Sequence, residues 1–239
     1  MPFVDNDGIS IYYESHGSGE PVVLLHGAGG PSDVWHELGW VETLSRRYQV
    51  VTIDARAFGK SDKPTDEAAY VTKTRVDDVL SVLDELDLDR GHLSGYSMGA
   101  GMCFSMLAYA PERILSVAAG GAHLQAKDLS WVRDLVMPRF KEWEAAGRPE
   151  VPVSPAGVLA ILNADEASTA VEPDEITVPT LIYSGTADLH YEQIKQTAQE
   201  IPGARFMEYE GEDHSVFRTR HEEVRTAVAA FLDEVSGAE

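Results

Sequence analysis

Three side chains far apart in this sequence have the right types to carry out nucleophilic chemistry together. The stretch GYSMG places Ser97 between Gly95 and Gly99, after an apolar run and before the small, apolar stretch MGAGMCFSMLAYA. A serine in an ordinary turn does not need glycine on both sides. A serine forced into a strained, exposed bend between a strand and a helix does, because neighbouring backbone then passes very close to it. A serine hydroxyl attacks only when a base takes its proton, and the base must be held by a third group. Asp188 follows the apolar run PTLIYSGT, and His214 follows ARFMEYE. The chain order Ser97, Asp188, His214 is the order expected of nucleophile, orienting acid and base on a strand–turn–helix scaffold. Asp213 adjoins His214, but sequence neighbours rarely face each other with the geometry an orienting acid needs.

Attack on a carbonyl creates an oxyanion, which requires preorganised donors. HGAGG (26–30), after the run PVVLLHG, supplies backbone able to turn an N–H inward. One donor is assigned to the amide of Ala28 and the other to that of Met98, at a helix N-terminus where free amides favour negative charge. His26 is expected to brace its loop. A phosphate-loop reading of HGAGG fails because no Gly-Lys-Ser/Thr follows.

The elements that must position these groups can be read from hydrophobic pattern. Strands are expected at 9–15, 21–27, 48–54, 91–96, 114–121, 179–186 and 204–210, several of them continuously apolar, as strands buried on both faces are. Helical patterns intervene. SDVWHELGWVETLSRR carries Ser32 as its expected N-cap, and TKTRVDDVLSVLDELDLD sets Val76, Val79, Leu80, Leu83 and Leu86 on one face. YEQIKQTAQEI and HEEVRTAVAAFLDEV read as the last two helices. Alternating strands and helices predict an α/β fold, a mostly parallel sheet with helices on both faces. Residues 124–178 break the alternation. They read as a short helical cap inserted after the sixth sheet strand, over a core of 1–123 and 179–239, with Trp131, Met137, Phe140 and Trp143 as the cap's apolar face.

Composition narrows the function. With 239 residues the chain suits one large domain. Forty acidic against 19 basic residues give a net charge of −21, which argues against nucleic acid and anionic membranes as partners. No run approaches a membrane span, and MPFVDNDGIS lacks the basic start and apolar stretch of a signal peptide. The single cysteine, Cys103, forms no internal disulfide and fits a cytoplasmic location. It is expected to be buried and inert. The eight histidines are scattered without metal-ligand spacing, so neither metal nor cofactor is expected. His123 and His190 are read as solvated loop residues near the pocket mouth, outside the catalytic set.

HGAGG, DARAFGKSDKP (54–64), GYSMGAG, Asp188 and GEDHSVF together resemble the α/β-hydrolase superfamily over nearly the whole chain. DARAFGKSDKP is similar to the family's D-x-R-G-x-G-x-S-D segment, with Ala57 where glycine is usual. The resemblance implies a structural role for Asp54, Arg56 and Ser61, and a cap in the position of 124–178. Serine at 97 disfavours epoxide opening and halide displacement, for which relatives use aspartate there. The GYSMG segment also looks like that of esterases, haloperoxidase-like hydrolases, enol-lactonases and C–C hydrolases, the last weakened by Ser215 where they often carry tryptophan. The resulting expectation is a serine hydrolase that cleaves a small carboxylic ester or lactone through an acyl-enzyme. The alternatives are a slow-turnover ligand receptor on the same fold, or a C–C hydrolase, lyase or perhydrolase using the same triad.

Overall fold

A computed structural model describes residues 2–28, 30–124, 129–146, 154–167 and 171–237. Eight strands form a single sheet: β1 (Phe3–Asn6), β2 (Ile9–Gly17), β3 (Pro21–Leu25), β4 (Gln49–Ile53), β5 (Gly91–Tyr96), β6 (Ile114–Gly120), β7 (Thr180–Gly185) and β8 (Arg205–Tyr209). Their order across the sheet is β1-β2-β4-β3-β5-β6-β7-β8. β1 and β2 pair antiparallel, as do β2 and β4, and every later pairing is parallel. Parallel pairing turns the carboxyl ends of β3, β5, β6, β7 and β8 to one rim. β5 and β7 are buried at every position, so neither strand presents a face to solvent.

Helices cover both faces: α1 (Val34–Glu37), α2 (Trp40–Leu44), α3 (Thr72–Glu85), α4 (Met98–Tyr109), α5 (Ser130–Ala145), α6 (Pro155–Ala167), α7 (Tyr191–Glu200), α8 (Val216–Thr219) and α9 (His221–Val235). One apolar cluster joins α3, α4 and α7 to the sheet through Val76, Val79, Leu83, Phe104, Met106 and Ile194. A second, on the other face, packs Trp35, Trp40, Phe217, Val228 and Phe231 against Val22, Leu24 and Val50. Cys103 is fully buried in the first cluster, and burial pushes its thiol pKa up. Among the described residues, no helix is long and apolar enough to cross a membrane.

Two expectations are corrected. The pattern at 32–47 is two short helices rather than one, broken at Gly39, whose φ of 69° is left-handed. Ser32 does not cap them. Its amide and hydroxyl both donate to Asp54 Oδ1, at 2.8 and 2.6 Å, tying this segment to the end of β4. The sequence reading also missed β1, a four-residue edge strand only half-buried on alternate positions.

The DARAFGKSDKP segment is held from within. Asp54 Oδ2 accepts from the Lys60 amide at 2.8 Å, and Ser61 Oγ donates to the Asp54 carbonyl at 2.6 Å. Arg56, 1% exposed, pairs in a fork with Asp78 of α3 at 2.6 and 2.5 Å. Between β6 and β7 the described residues form α5 and α6. Val158, Ile161 and Leu162 of α6 pack on Ala57, Phe58 and Tyr70, with Met98 and Met137 against the same cluster. Arg75 of α3 pairs with Asp165 of α6, and the Ser154 amide donates to the Ala57 carbonyl at 2.8 Å. The side chains of Trp131, Phe140 and Trp143 lie outside the described residues, as do residues 125–128, 147–153 and 168–170.

The turn between β5 and α4 is packed backbone against backbone. A Cβ on Gly99 would stand 1.9 Å from the Leu25 carbonyl oxygen, and one on Gly95 would stand 2.4 Å from the Gly99 carbonyl carbon. Both obstacles are backbone, so neither can rotate aside. Gly99→Ala must therefore push α4 off the sheet. The expected outcome is a loss of stability of at least ~3 kcal/mol, by analogy with severe overpacking, read as a lowered urea midpoint or as failure to purify folded. An unchanged midpoint would contradict the packing described.

Candidate active site

Ser97 closes β5 and opens α4 with φ 54° and ψ −115°, a conformation a non-glycine residue adopts only when its surroundings enforce it. The enforcement is visible. The Ser97 amide donates to the Gly120 carbonyl at the end of β6, at 2.7 Å, and its carbonyl accepts from the Gly101 amide at 2.9 Å. The side chain is thereby lifted off the sheet rim.

His214 reaches this point on the loop after β8. That loop is laced to the end of β7: the Thr186 amide donates to the Tyr209 carbonyl at 3.0 Å and the Ala187 amide to the Glu212 carbonyl at 2.8 Å. Gly185 admits the crossing, since a Cβ there would stand 2.0 Å from the Glu212 oxygen. The structure brings the three sequence-predicted side chains together. His214 Nδ1 lies 2.7 Å from Asp188 Oδ2, and Nε2 lies 3.0 Å from Ser97 Oγ. With Nδ1–H donating to the carboxylate, Nε2 is left to accept the serine proton. Asp188 Oδ1 accepts the His190 amide at 2.9 Å. Burial raises the Asp188 pKa, but the hydrogen bonds from His214 and the His190 amide outweigh it and hold the carboxyl below its usual range. The carboxylate is 1% exposed and the imidazole 30%, so the relay runs from a dry acid to an accessible base. Asp213 turns away from His214 and accepts from the Ser215 amide and hydroxyl, at 2.8 and 2.5 Å.

The loop after β3 passes alongside. A Cβ on Gly27 would stand 3.5 Å from Ser97 Cβ. His26, buried, fixes this loop: Nδ1–H donates to the Gly27 carbonyl at 2.8 Å, and Nε2 accepts the Ala55 amide at 3.0 Å. Burial lowers its pKa, which favours the neutral ring that both bonds require. Among the described residues, neither the Ala28 nor the Met98 amide donates to a protein acceptor; Gly29 lies outside them. A cavity of about 40 Å³ lies next to this turn, lined by Leu25, Met98, Gly99, Met102 and Ile161 among others.

Sequence reasoning missed Tyr96. Its ring stacks on Phe217 with centroids 4.8 Å apart, and its hydroxyl donates to the His214 carbonyl at 2.5 Å. It ties the backbone of the base to the strand that carries the serine. No local signal marks this, because the partner is 118 residues away. His123, expected to be solvated, is buried instead, its ring centroid 5.1 Å from that of His190 beneath the rim. The scattered histidines also contain a grouping that spacing along the chain did not reveal, with His16 and His36 both against Glu14. The one available signal was Glu14 and His16 at i and i+2 on a strand.

The sequence matches the profile of the α/β hydrolase fold over residues 20–148, more than half of the chain. A provisionally named non-heme chloroperoxidase of Synechocystis sp. is 37% identical over 120 residues, 48% of this chain and 42% of that protein. The chain thus spans less than half the length of that curated relative. Among solved structures, the enol-lactonase of Burkholderia xenovorans superposes with a TM-score of 0.82 at 25% identity, covering 97% of this chain and 99% of that one. The bromoperoxidase of Bacillus anthracis superposes with a TM-score of 0.76 at 26% identity, covering 96% and 98%. Sheet order, the strained serine turn and the profile agree, and the chain belongs to the α/β hydrolase fold family.

Proposed function

We propose that this protein hydrolyses small carboxylic esters or lactones through an acyl-enzyme on Ser97. The observation that carries the reading is the continuous relay Ser97 Oγ–His214 Nε2 (3.0 Å) and His214 Nδ1–Asp188 Oδ2 (2.7 Å), mounted on a backbone strained at the serine alone of the three. Ser97 attacks the carbonyl carbon while His214 takes the hydroxyl proton. Asp188 keeps the ring in the tautomer that leaves Nε2 free and stabilises the imidazolium that forms. The amides of Ala28 and Met98 hold the oxyanion, Met98 aided by its place at the start of α4. His214 then gives its proton to the leaving alcohol, and water, activated by the same ring, releases the acid. In a lactone the alcohol stays tethered to the acid and the steps are otherwise alike. The likeness to an enol-lactonase supports this substrate class.

The likeness to a bromoperoxidase favours a second use of the same intermediate. Hydrogen peroxide replacing water as the attacking species would release a peracid in place of the acid. Product analysis of the acyl-enzyme in the presence of peroxide separates the two.

Steady-state turnover of p-nitrophenyl acetate is the direct test. Ser97→Ala should abolish it while leaving the circular dichroism spectrum unchanged, and Asp188→Asn should lower kcat by about 10⁴-fold, because the amide selects the wrong histidine tautomer. Retained turnover in Ser97→Ala would refute the assignment. Tyr96→Phe removes only the bond to the His214 carbonyl. It should reduce kcat by roughly 10-fold or more, the scale on which a misplaced base slows proton transfer, with KM nearly unchanged. An equal change in KM would point to substrate contact instead of positioning.

A further inference from the structure

A strand sends alternate side chains to opposite faces, so Glu14 and His16 of β2 project from the same one. The short helix α1 brings His36 to the same place. Both imidazoles address a single carboxylate oxygen: His16 Nε2 lies 3.0 Å and His36 Nε2 lies 2.9 Å from Glu14 Oε2. These three atoms all lie within 4.8 Å of one another, and no other such trio of His, Cys, Asp or Glu occurs among the described residues. The two rings meet edge to face with centroids 5.1 Å apart. A tetrahedral ion with bonds of about 2.0–2.1 Å holds its ligand atoms roughly 3.3 Å apart, so a small spreading of the trio accommodates one.

Neighbouring groups orient these ligands. The Tyr12 hydroxyl donates to Glu14 Oε1 at 2.5 Å, and Lys60 Nζ donates to the Tyr12 oxygen at 2.9 Å. One carboxylate oxygen is thereby occupied and the other is turned to the imidazoles. On the far side of His36, Nδ1 stands 3.4 Å from Glu42 Oε1. His36 therefore faces a carboxylate at each ring nitrogen, and a neutral imidazole has one N–H to offer. Either a second ring proton or a cation on Nε2 satisfies both contacts; with a cation there, Nδ1 carries the proton and points it at Glu42, the outer carboxylate partner typical of metal-bound histidine.

We propose that Glu14, His16 and His36 form a binding site for a divalent transition-metal ion, Zn²⁺ by preference, with water in the fourth position. Two imidazoles and one carboxylate suit zinc, whereas magnesium and calcium favour oxygen ligands throughout. The side chains are 39%, 34% and 25% exposed for His16, His36 and Glu14, so an ion reaches them without opening the fold. Once bound, it clips α1 to β2. The site shares no residue with the Ser97 relay and stands whether or not the chain hydrolyses esters.

Isothermal titration calorimetry tests this, with the full chain stripped by chelator and zinc chloride as the sole titrant. About one ion should bind per chain, and His16→Ala and His36→Ala should each weaken binding by at least 10-fold, since even outer partners of metal ligands are worth about that much. Zinc should raise the thermal midpoint of the parent and not that of the H16A/H36A double variant. Cobalt should give the visible absorption of a four-coordinate ion in the parent alone. If alanine impairs folding, His36→Gln, which keeps a donor for Glu14, takes its place. Absence of binding to the parent, or equal affinity in parent and double variant, overturns the proposal. Hydrolysis of p-nitrophenyl acetate should be the same in all of these variants.

Discussion

Backbone of the β5–α4 turn passes within touching distance of backbone from β3, and the rest of the candidate site depends on that approach. Gly95 and Gly99 permit it, with Gly99 facing the Leu25 carbonyl where no side-chain carbon fits. The close seating drives Ser97 into positive φ and lifts its hydroxyl clear of the sheet. It also sets the start of α4 beside the loop that follows β3, where a Cβ on Gly27 would stand 3.5 Å from that of Ser97.

The remaining partners arrive by hydrogen bonding between loops instead of close packing. Asp188 is fixed by the His190 amide and buried, which gives the imidazole a carboxylate that stays ionised. The loop bearing His214 is tied at one side to Thr186 and Ala187 and at the other to Tyr96. Tyr96 precedes the serine directly, so one strand end orients both Ser97 and the backbone of His214. Two different kinds of constraint thus meet at His214. Sterics place the serine, and directional polar contacts place the ring.

Much of this was legible along the chain because apolar or small residues bounded by turn residues mark out the strands of a parallel sheet. β5, β7 and β8 match their expected bounds to within a residue or two, although β8 is largely half-exposed, and Ser97, Asp188 and His214 each follow the end of one within five residues. The final helix, His221–Val235, matched its expected bounds because its apolar period is uninterrupted. The failures share a different physics. Gly39 breaks the 32–47 pattern by adopting left-handed φ, which periodicity does not encode. Ser32 looked like a cap but spends its hydroxyl on Asp54, 22 residues on. β1 was too short and too exposed to show a pattern. Tyr96, the burial of His123 and the meeting of His36 with Glu14 all arise from contacts between segments distant in sequence, which no local window contains.

Ala57 stands where relatives of this fold usually carry glycine, and it keeps φ 77° although it has a side chain. Such a backbone costs an alanine about 1–3 kcal/mol. Its methyl group is wholly buried and abuts Gly157 of α6, where an added Cβ would come within 2.6 Å of it, while its carbonyl receives the Ser154 amide. The extra carbon therefore acts as a peg beneath α6, trading local conformational ease for a fixed seat. The position of α6 over the sheet rim is thus set by the segment that follows β4 as well as by the helix's own sequence.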